Sequence, residues 1–126
     1  MKKIIESSLA PEPIGPYSQA VVANGTLYVS GQIPIDRSTG ELISGSIEEE
    51  TEQVMKNLDF ILKEAGSGFD QVVKCSIFIK DMGDFAKING VYGTRFPTHP
   101  PARETVQVSE LPKGVNVEIS CIALVD

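Results

Sequence analysis

Two charged side chains near the C-terminal end of the sequence stand where charge is costly. Arg103 opens a strand-like run directly after the stiff Pro100-Pro101 pair, and Glu118 sits among Val117, Ile119, Cys121, Ile122 and Leu124. A carboxylate in so apolar a run must be paired, protonated or placed at a cleft. A guanidinium grips a carboxylate in two places at once, which gives oriented recognition. A half-buried Glu within reach of a water can act as general base, or hold a cationic intermediate by charge. Together the two side chains suit an anionic small molecule carrying an electrophilic carbon. They suit equally an Arg–Glu salt bridge tying two strands together, and the residues alone leave both readings open.

The chain has no GxGxxG, GxxxxGK[ST], CxxC or HExxH run. Its single histidine, His99, lies between Thr98 and Pro100, so one subunit can form neither a His-based triad nor a multi-His metal site. An enzyme built on these residues is expected to use no metal, no nucleotide cofactor and no covalent nucleophile. The formal net charge is −6, and no Lys/Arg cluster is longer than Lys2-Lys3. Both facts argue against nucleic-acid and anionic-membrane partners, which call for a basic face. Without a secretory apolar segment, or a run of about 18 apolar residues, the chain reads as soluble and cytoplasmic. Cys75 and Cys121 lie in alternating apolar runs and read as buried small hydrophobes in a reducing compartment.

At 126 residues the chain is expected to form one domain over 1–126. Ala10–Pro16 (APEPIGP) is too rich in proline for helix and predicts an extended loop ending at Tyr17. That ring is either a packed surface aromatic or a wall held over a pocket. Asn24-Gly25 between Gln19–Ala23 and Thr26–Ile33 predicts a type I′ hairpin. Gly31, after Ser30 inside the second strand, marks a bulge or a close approach by another group. Ser46-x-x-Glu49 is a capping box opening a helix with apolar residues at Val54, Leu58 and Ile61, closed by Gly66 and Gly68. The acids Glu48, Glu49, Glu50 and Glu52 read as its capped, solvated start. Gln71–Lys80 reads as a strand with Val73, Cys75, Ile77 and Ile79 on one face. Asp81 is the expected cap of a second helix over Asp81–Phe96. Its stripe is Phe85, Ile88, Tyr92 and Phe96, with Asn89 a polar group beside it. Strands over Arg103–Val108 and Val115–Val125 follow. Strand–helix–strand–helix–strand order predicts parallel neighbours, with both helices on one sheet face. The opposite face is then apolar and uncovered, which predicts self-association.

Four groups of residues occur together in an order and spacing that resembles the RidA/YjgF family of enamine/imine deaminases over nearly the whole chain. They are Gly15-Pro16-Tyr17-Ser18-Gln19-Ala20; Val29-Ser30-Gly31-Gln32-Ile33-Pro34; Asp81-Met82 with Asp84-Phe85 and Asn89; and Pro101-Ala102-Arg103 with Val117-Glu118-Ile119. The resemblance implies an α+β, chorismate-mutase-like (YjgF-like) fold: a mixed six-stranded sheet with two helices packed on one face. It implies a barrel-like homotrimer with sheets inside and active sites in the clefts between subunits. It also implies that the last strand inserts within the sheet, antiparallel to its neighbours. The implied activity is cofactor-free hydrolysis of 2-aminoacrylate/2-iminopropanoate and 2-iminobutanoate to 2-keto acids and ammonia. Such species leave pyridoxal-phosphate enzymes acting on serine or threonine. On that pattern Arg103 binds the substrate carboxylate, and Glu118 positions water and favours the protonated imine. The backbone around Ser30-Gly31 and the amide at Thr105 lend hydrogen bonds, and Tyr17 and Phe85 or Asn89 shape the wall. Thr105 stands where some members carry Cys. Two other readings are a trimeric module that captures small carboxylates without turnover, and an RNA-cleaving protein. The latter fits poorly with a single histidine and no basic groove.

Overall fold

The Asn24-Gly25 pair turns the chain as its chemistry dictates. In the computed structural model, which describes residues 1–126, both residues take positive φ, 50° and 73°, the geometry of a type I′ turn. They join β2 (Ala20–Ala23) to β3 (Thr26–Gln32), with Ala23 opposite Thr26. The edge strand β1 (Lys3–Ile5) lies along the other side of β2. The Asp36–Gly40 turn closes a separate small hairpin of β4 (Ile35–Asp36) and β5 (Glu41–Leu42).

Helix α1 (Ile47–Glu64) begins where the capping box places it. The Ser46 hydroxyl accepts from the Glu49 amide at 3.1 Å and donates to the Glu49 carboxylate at 3.3 Å. Gly66, at φ 77°, ends the helix, and the Ser67 amide returns to the Leu62 carbonyl at 2.8 Å. The acidic start is not solvated throughout. Glu50 is only 5 % exposed and accepts from the backbone and side-chain amides of Asn116 at 3.2 and 2.8 Å. Glu52 accepts from both terminal nitrogens of Arg95, at 2.7 and 2.6 Å. These partners lie 66 and 43 residues away, so a local pattern of acids could not reveal them.

The second half holds β6 (Val72–Ile79), α2 (Phe85–Tyr92), β7 (Ala102–Gln107) and β8 (Val117–Leu124). The α-helix expected over Asp81–Phe96 is shorter. Asp81 caps a 3-10 turn at Met82–Asp84 by accepting from the Gly83 amide at 2.8 Å, and a second 3-10 turn, Gly93–Arg95, follows α2. Gly83, Gly90 and Gly93 lower the helical preference towards both ends. Val73, expected inward, is 42 % exposed. The register between β6 and β8 shifts between Val72 and Lys74 and turns it outward.

The crossover through α2 makes β6 and β7 parallel. β8 lies between β3 and β6, antiparallel to both, giving the order β1-β2-β3-β8-β6-β7. Thus β3 and β6 run parallel but do not pair. The fold is the α+β arrangement that the resemblance implies: two helices on one face of a mixed six-stranded sheet. The helix face buries Leu27, Ile77, Val117 and Ile119 beneath Leu58 and Ile61 of α1 and Ile88 of α2. Cys75 and Cys121 are paired across β6 and β8, buried and free. On the open face, Ile4, Tyr28, Leu124 and Val106 are 50, 50, 47 and 40 % exposed. No helix is long and apolar enough to cross a membrane.

Candidate active site

Arg103 is placed by β7, an outer strand. Its register sets Arg103 beside Cys75 and Thr105 beside Ile77. Partners in a sheet share a face, so both residues point to the helix side. There α2 presents Phe85, Asn89 and Tyr92 at helical spacing. The Arg103 guanidinium carbon lies 5.0 Å from the centre of the Tyr92 ring and 5.5 Å from that of Phe85. The chain has two other arginines, both engaged. Arg37 donates to the Ala10 carbonyl and to Glu12, and Arg95 donates to Glu52. Arg103 enters no ion pair and no side-chain hydrogen bond. Its N–H fork is therefore available to a ligand.

Beside it, Thr105 Oγ1 and the Tyr92 hydroxyl are buried without a hydrogen-bond partner. Burial pushes the Tyr92 hydroxyl far above the usual phenol range and raises the adjacent Cys75 thiol. Both stay protonated at neutral pH, so neither supplies an anionic nucleophile.

Glu118 is placed by β8 opposite Phe78, between the buried Val117 and Ile119. Alternation sends it to the open face. Half-buried and without an ion-pair partner, its carboxyl is raised above the usual value by desolvation. Across from it, β3 shifts register between Val29 and Gln32. A Cβ on Gly31 would lie 2.4 Å from Glu118 Oε2. Gly31 therefore marks both a bulge and a close approach. Around this pair opens a hollow of about 370 Å³ lined by Tyr17, Ser30, Gly31, Ile33, Pro112 and Glu118.

The loop carrying Tyr17 is tied down from beneath. Gln19 is 2 % exposed. It accepts from the Ser7 amide at 2.6 Å and donates to the carbonyls of Ser7, Ala10 and Pro11 at 3.1, 3.3 and 3.0 Å. The Ser30 hydroxyl donates to the Ser18 carbonyl at 2.6 Å, so it secures this loop. Tyr17 itself is 52 % exposed, and its hydroxyl accepts from the Ile14 amide at 3.3 Å. It is a ring held at the rim by a stiff loop.

The eight residues singled out from sequence thus fall into two groups on opposite faces of the sheet. Arg103, Thr105, Phe85 and Asn89 form one; Glu118, Tyr17, Ser30 and Gly31 form the other. The Arg103–Glu118 salt bridge that the sequence left open does not form. Within one chain the two charges stand on opposite faces of the sheet. Sequence reasoning gave no role to Gln19, although it lies in the Gly15–Ala20 group, and read Tyr92 only as part of an apolar stripe. No three His, Cys, Asp or Glu side chains gather as a metal site.

A family model described as Endoribonuclease L-PSP matches residues 7–125. A RutC family protein of Pyrococcus horikoshii is 50 % identical over 123 residues, covering 98 % of both chains. The 2-iminobutanoate/2-iminopropanoate deaminase of Mus musculus is 47 % identical over 124 residues, covering 98 % of this chain and 92 % of the mouse one. The crystal structure of a Rid-family protein from Yersinia pestis matches with a TM-score of 0.97 at 50 % identity, covering 99 % of this chain and 100 % of that one.

Proposed function

Because this chain belongs to the endoribonuclease L-PSP family, which includes the RidA/YjgF proteins, we propose that it hydrolyses 2-imino acids to 2-keto acids and ammonia. Its substrates are 2-iminopropanoate, formed from 2-aminoacrylate, and 2-iminobutanoate. The observation that carries this reading is an arginine with a free fork, held on aromatic rings and not neutralised by any carboxylate of the chain. Such a group is prepared for a ligand carboxylate.

The chemistry follows from the two half-sites. The Arg103 guanidinium takes both oxygens of the substrate carboxylate and leaves the C=N carbon facing the Glu118 hollow. A water hydrogen-bonded to Glu118 adds to that carbon, and the carboxylate accepts its proton. The C–N π pair moves onto nitrogen, giving a carbinolamine. Glu118 then returns the proton to nitrogen, the C–N bond breaks to release ammonia, and the carbinol oxygen becomes the keto oxygen as its proton passes to the Glu118 carboxylate and on to the ammonia. Iminium carboxylate plus water becomes keto acid plus ammonium, with atoms and charge balanced. A carboxyl raised by desolvation is suited to accepting and returning a proton within one turnover. No step calls for a cofactor.

Since the two half-sites face opposite ways, the reaction needs a second copy of the chain. The proposal therefore includes a homotrimer with open faces inward, in which Arg103, Thr105, Phe85 and Asn89 of one subunit meet Glu118, Tyr17, Ser30 and Gly31 of the next. The deciding assay generates 2-aminoacrylate with a purified dehydratase and follows imine loss and keto-acid release. The protein is expected to accelerate both, and Arg103→Ala to lower the acceleration by roughly a hundredfold or more with the fold intact. Unchanged activity in that variant overturns the assignment. A wild-type protein that binds 2-keto acids but gives no acceleration would instead be a non-catalytic carboxylate-binding or regulatory module.

A further inference from the structure

We propose that Tyr92 is the positioning residue of the anion site, its ring face, together with that of Phe85, holding the Arg103 guanidinium in place without neutralising it. The inference rests on reading Arg103 as the carboxylate-binding group and adds what fixes that group. Proteins commonly hold an arginine with a carboxylate or backbone carbonyls. Those partners occupy the in-plane N–H groups, and a carboxylate also cancels the charge. A ring face attracts the cation through its quadrupole and leaves in-plane donors open. Arg103 has only the second kind of partner: Tyr92 at 5.0 Å and Phe85 at 5.5 Å, both inside the distance of about 6 Å at which this attraction counts.

The two rings do not contribute equally. Phe85 is 37 % exposed and sits at the rim. Tyr92 is 5 % exposed and is itself held by packing. Its ring centre lies 4.8 Å from that of Phe96, which meets Phe69 edge-on at 5.5 Å. The fixed reference for Arg103 is therefore Tyr92. The ring and not the hydroxyl is the working part, because the guanidinium lies over the ring while the hydroxyl is buried beside the Cys75 thiol.

The test reads Arg103 directly, so it stands apart from any assay of deamination. Side-chain ¹⁵N NMR of the full-length protein observes the Arg103 Nε–H, assigned with Arg103→Ala. In the wild type this signal is expected to be ring-current shifted and ordered. In Tyr92→Leu the shift and the order should be lost, and in Tyr92→Phe both should be restored. The affinity for 2-oxobutanoate should fall roughly three- to tenfold in Tyr92→Leu and recover in Tyr92→Phe. In an Arg103→Ala background, Tyr92→Leu should cause no further loss. An Arg103 signal equally mobile in the wild type and Tyr92→Leu overturns the proposal. So does an equal loss of affinity in both backgrounds, which would make Tyr92 only a core residue. A positioned Arg103 in a protein that never accelerates imine loss would leave Tyr92 its role and remove the deaminase reading.

Discussion

Gly31 owes its place to the side chain it lacks. A Cβ there would meet Glu118 Oε2, Cδ and Cγ at 2.4, 2.7 and 3.0 Å. The obstacle is the flexible end of one side chain, so Gly31→Ala should rotate the Glu118 carboxylate away and leave the fold standing. Stability is expected to change by less than about 1 kcal/mol, and imine hydrolysis to fall as far as in Glu118→Ala. Thermal melting and the coupled assay check the two halves of this prediction. Glu118 also leaves a mark on stability. Its folded-state carboxyl is raised above the ordinary 4.5 by burial. Between those values the folded state holds a proton that the unfolded chain has released, so stability falls as pH rises through the folded value. Glu118→Gln removes this loss. The variant should melt above the wild type at neutral pH, and the difference should close below pH 4.5. Both charges could be picked out in the sequence, because a charge in an apolar strand demands an explanation. Tyr92 could not, since an aromatic at core spacing looks the same whether its face meets a cation or a methyl group.

At the scale of elements, the proline-rich loop shows how a rim is made stiff. Prolines restrict its backbone, and Gln19 ties it down through four hydrogen bonds, with Ser30 and Arg37 adding their own. Gln19→Ala would strand the buried backbone amide and carbonyl of Ser7 and the carbonyl of Pro11. It is expected to cost about 2–4 kcal/mol and to expose residues 10–17 to proteolysis at a lower denaturant concentration. Pulse proteolysis across a urea series measures both effects. The β2–β3 hairpin and the start of α1 were legible because their causes are local, in Asn24-Gly25 and in Ser46 with Glu49. The position of β8 was not legible from periodicity. Alternation says that Val117–Leu124 is a strand, but its partners β3 and β6 are chosen by long-range fit, and only the family resemblance pointed to them. The outward turn of Val73 has the same origin, a register shift against a strand placed far along the chain.

For the molecule as a whole, the central fact is that a sheet has two faces and this chain puts one working charge on each. Arg103 shares the helix side with Tyr92, and Glu118 shares the open side with Gly31. The open face also carries Ile4, Tyr28, Val106 and Leu124, each 40–50 % exposed, an apolar surface that a second copy would cover. The proposed cyclic assembly would bring the helix-side edge of one chain to the open side of the next. That geometry has a consequence no single-chain site can imitate. Arg103→Ala and Glu118→Ala should each be inactive when expressed alone. Co-expressed, they are expected to mix within the proposed trimers, where any junction at which an intact Arg103 meets an intact Glu118 is a wild-type site. Random mixing leaves roughly a quarter of all junctions intact, and a trimer carrying both kinds of subunit holds about one intact junction in three, so about a third of wild-type activity should return in doubly tagged trimers, with a KM equal to the wild-type value because each restored site is complete. Differently tagged subunits purified through both tags establish that mixing occurred. Mixed trimers with no activity would mean that both charges act from one chain, activity in either variant alone would mean that its charge is not needed, and a protein that sediments as a monomer would leave the two half-sites without a partner.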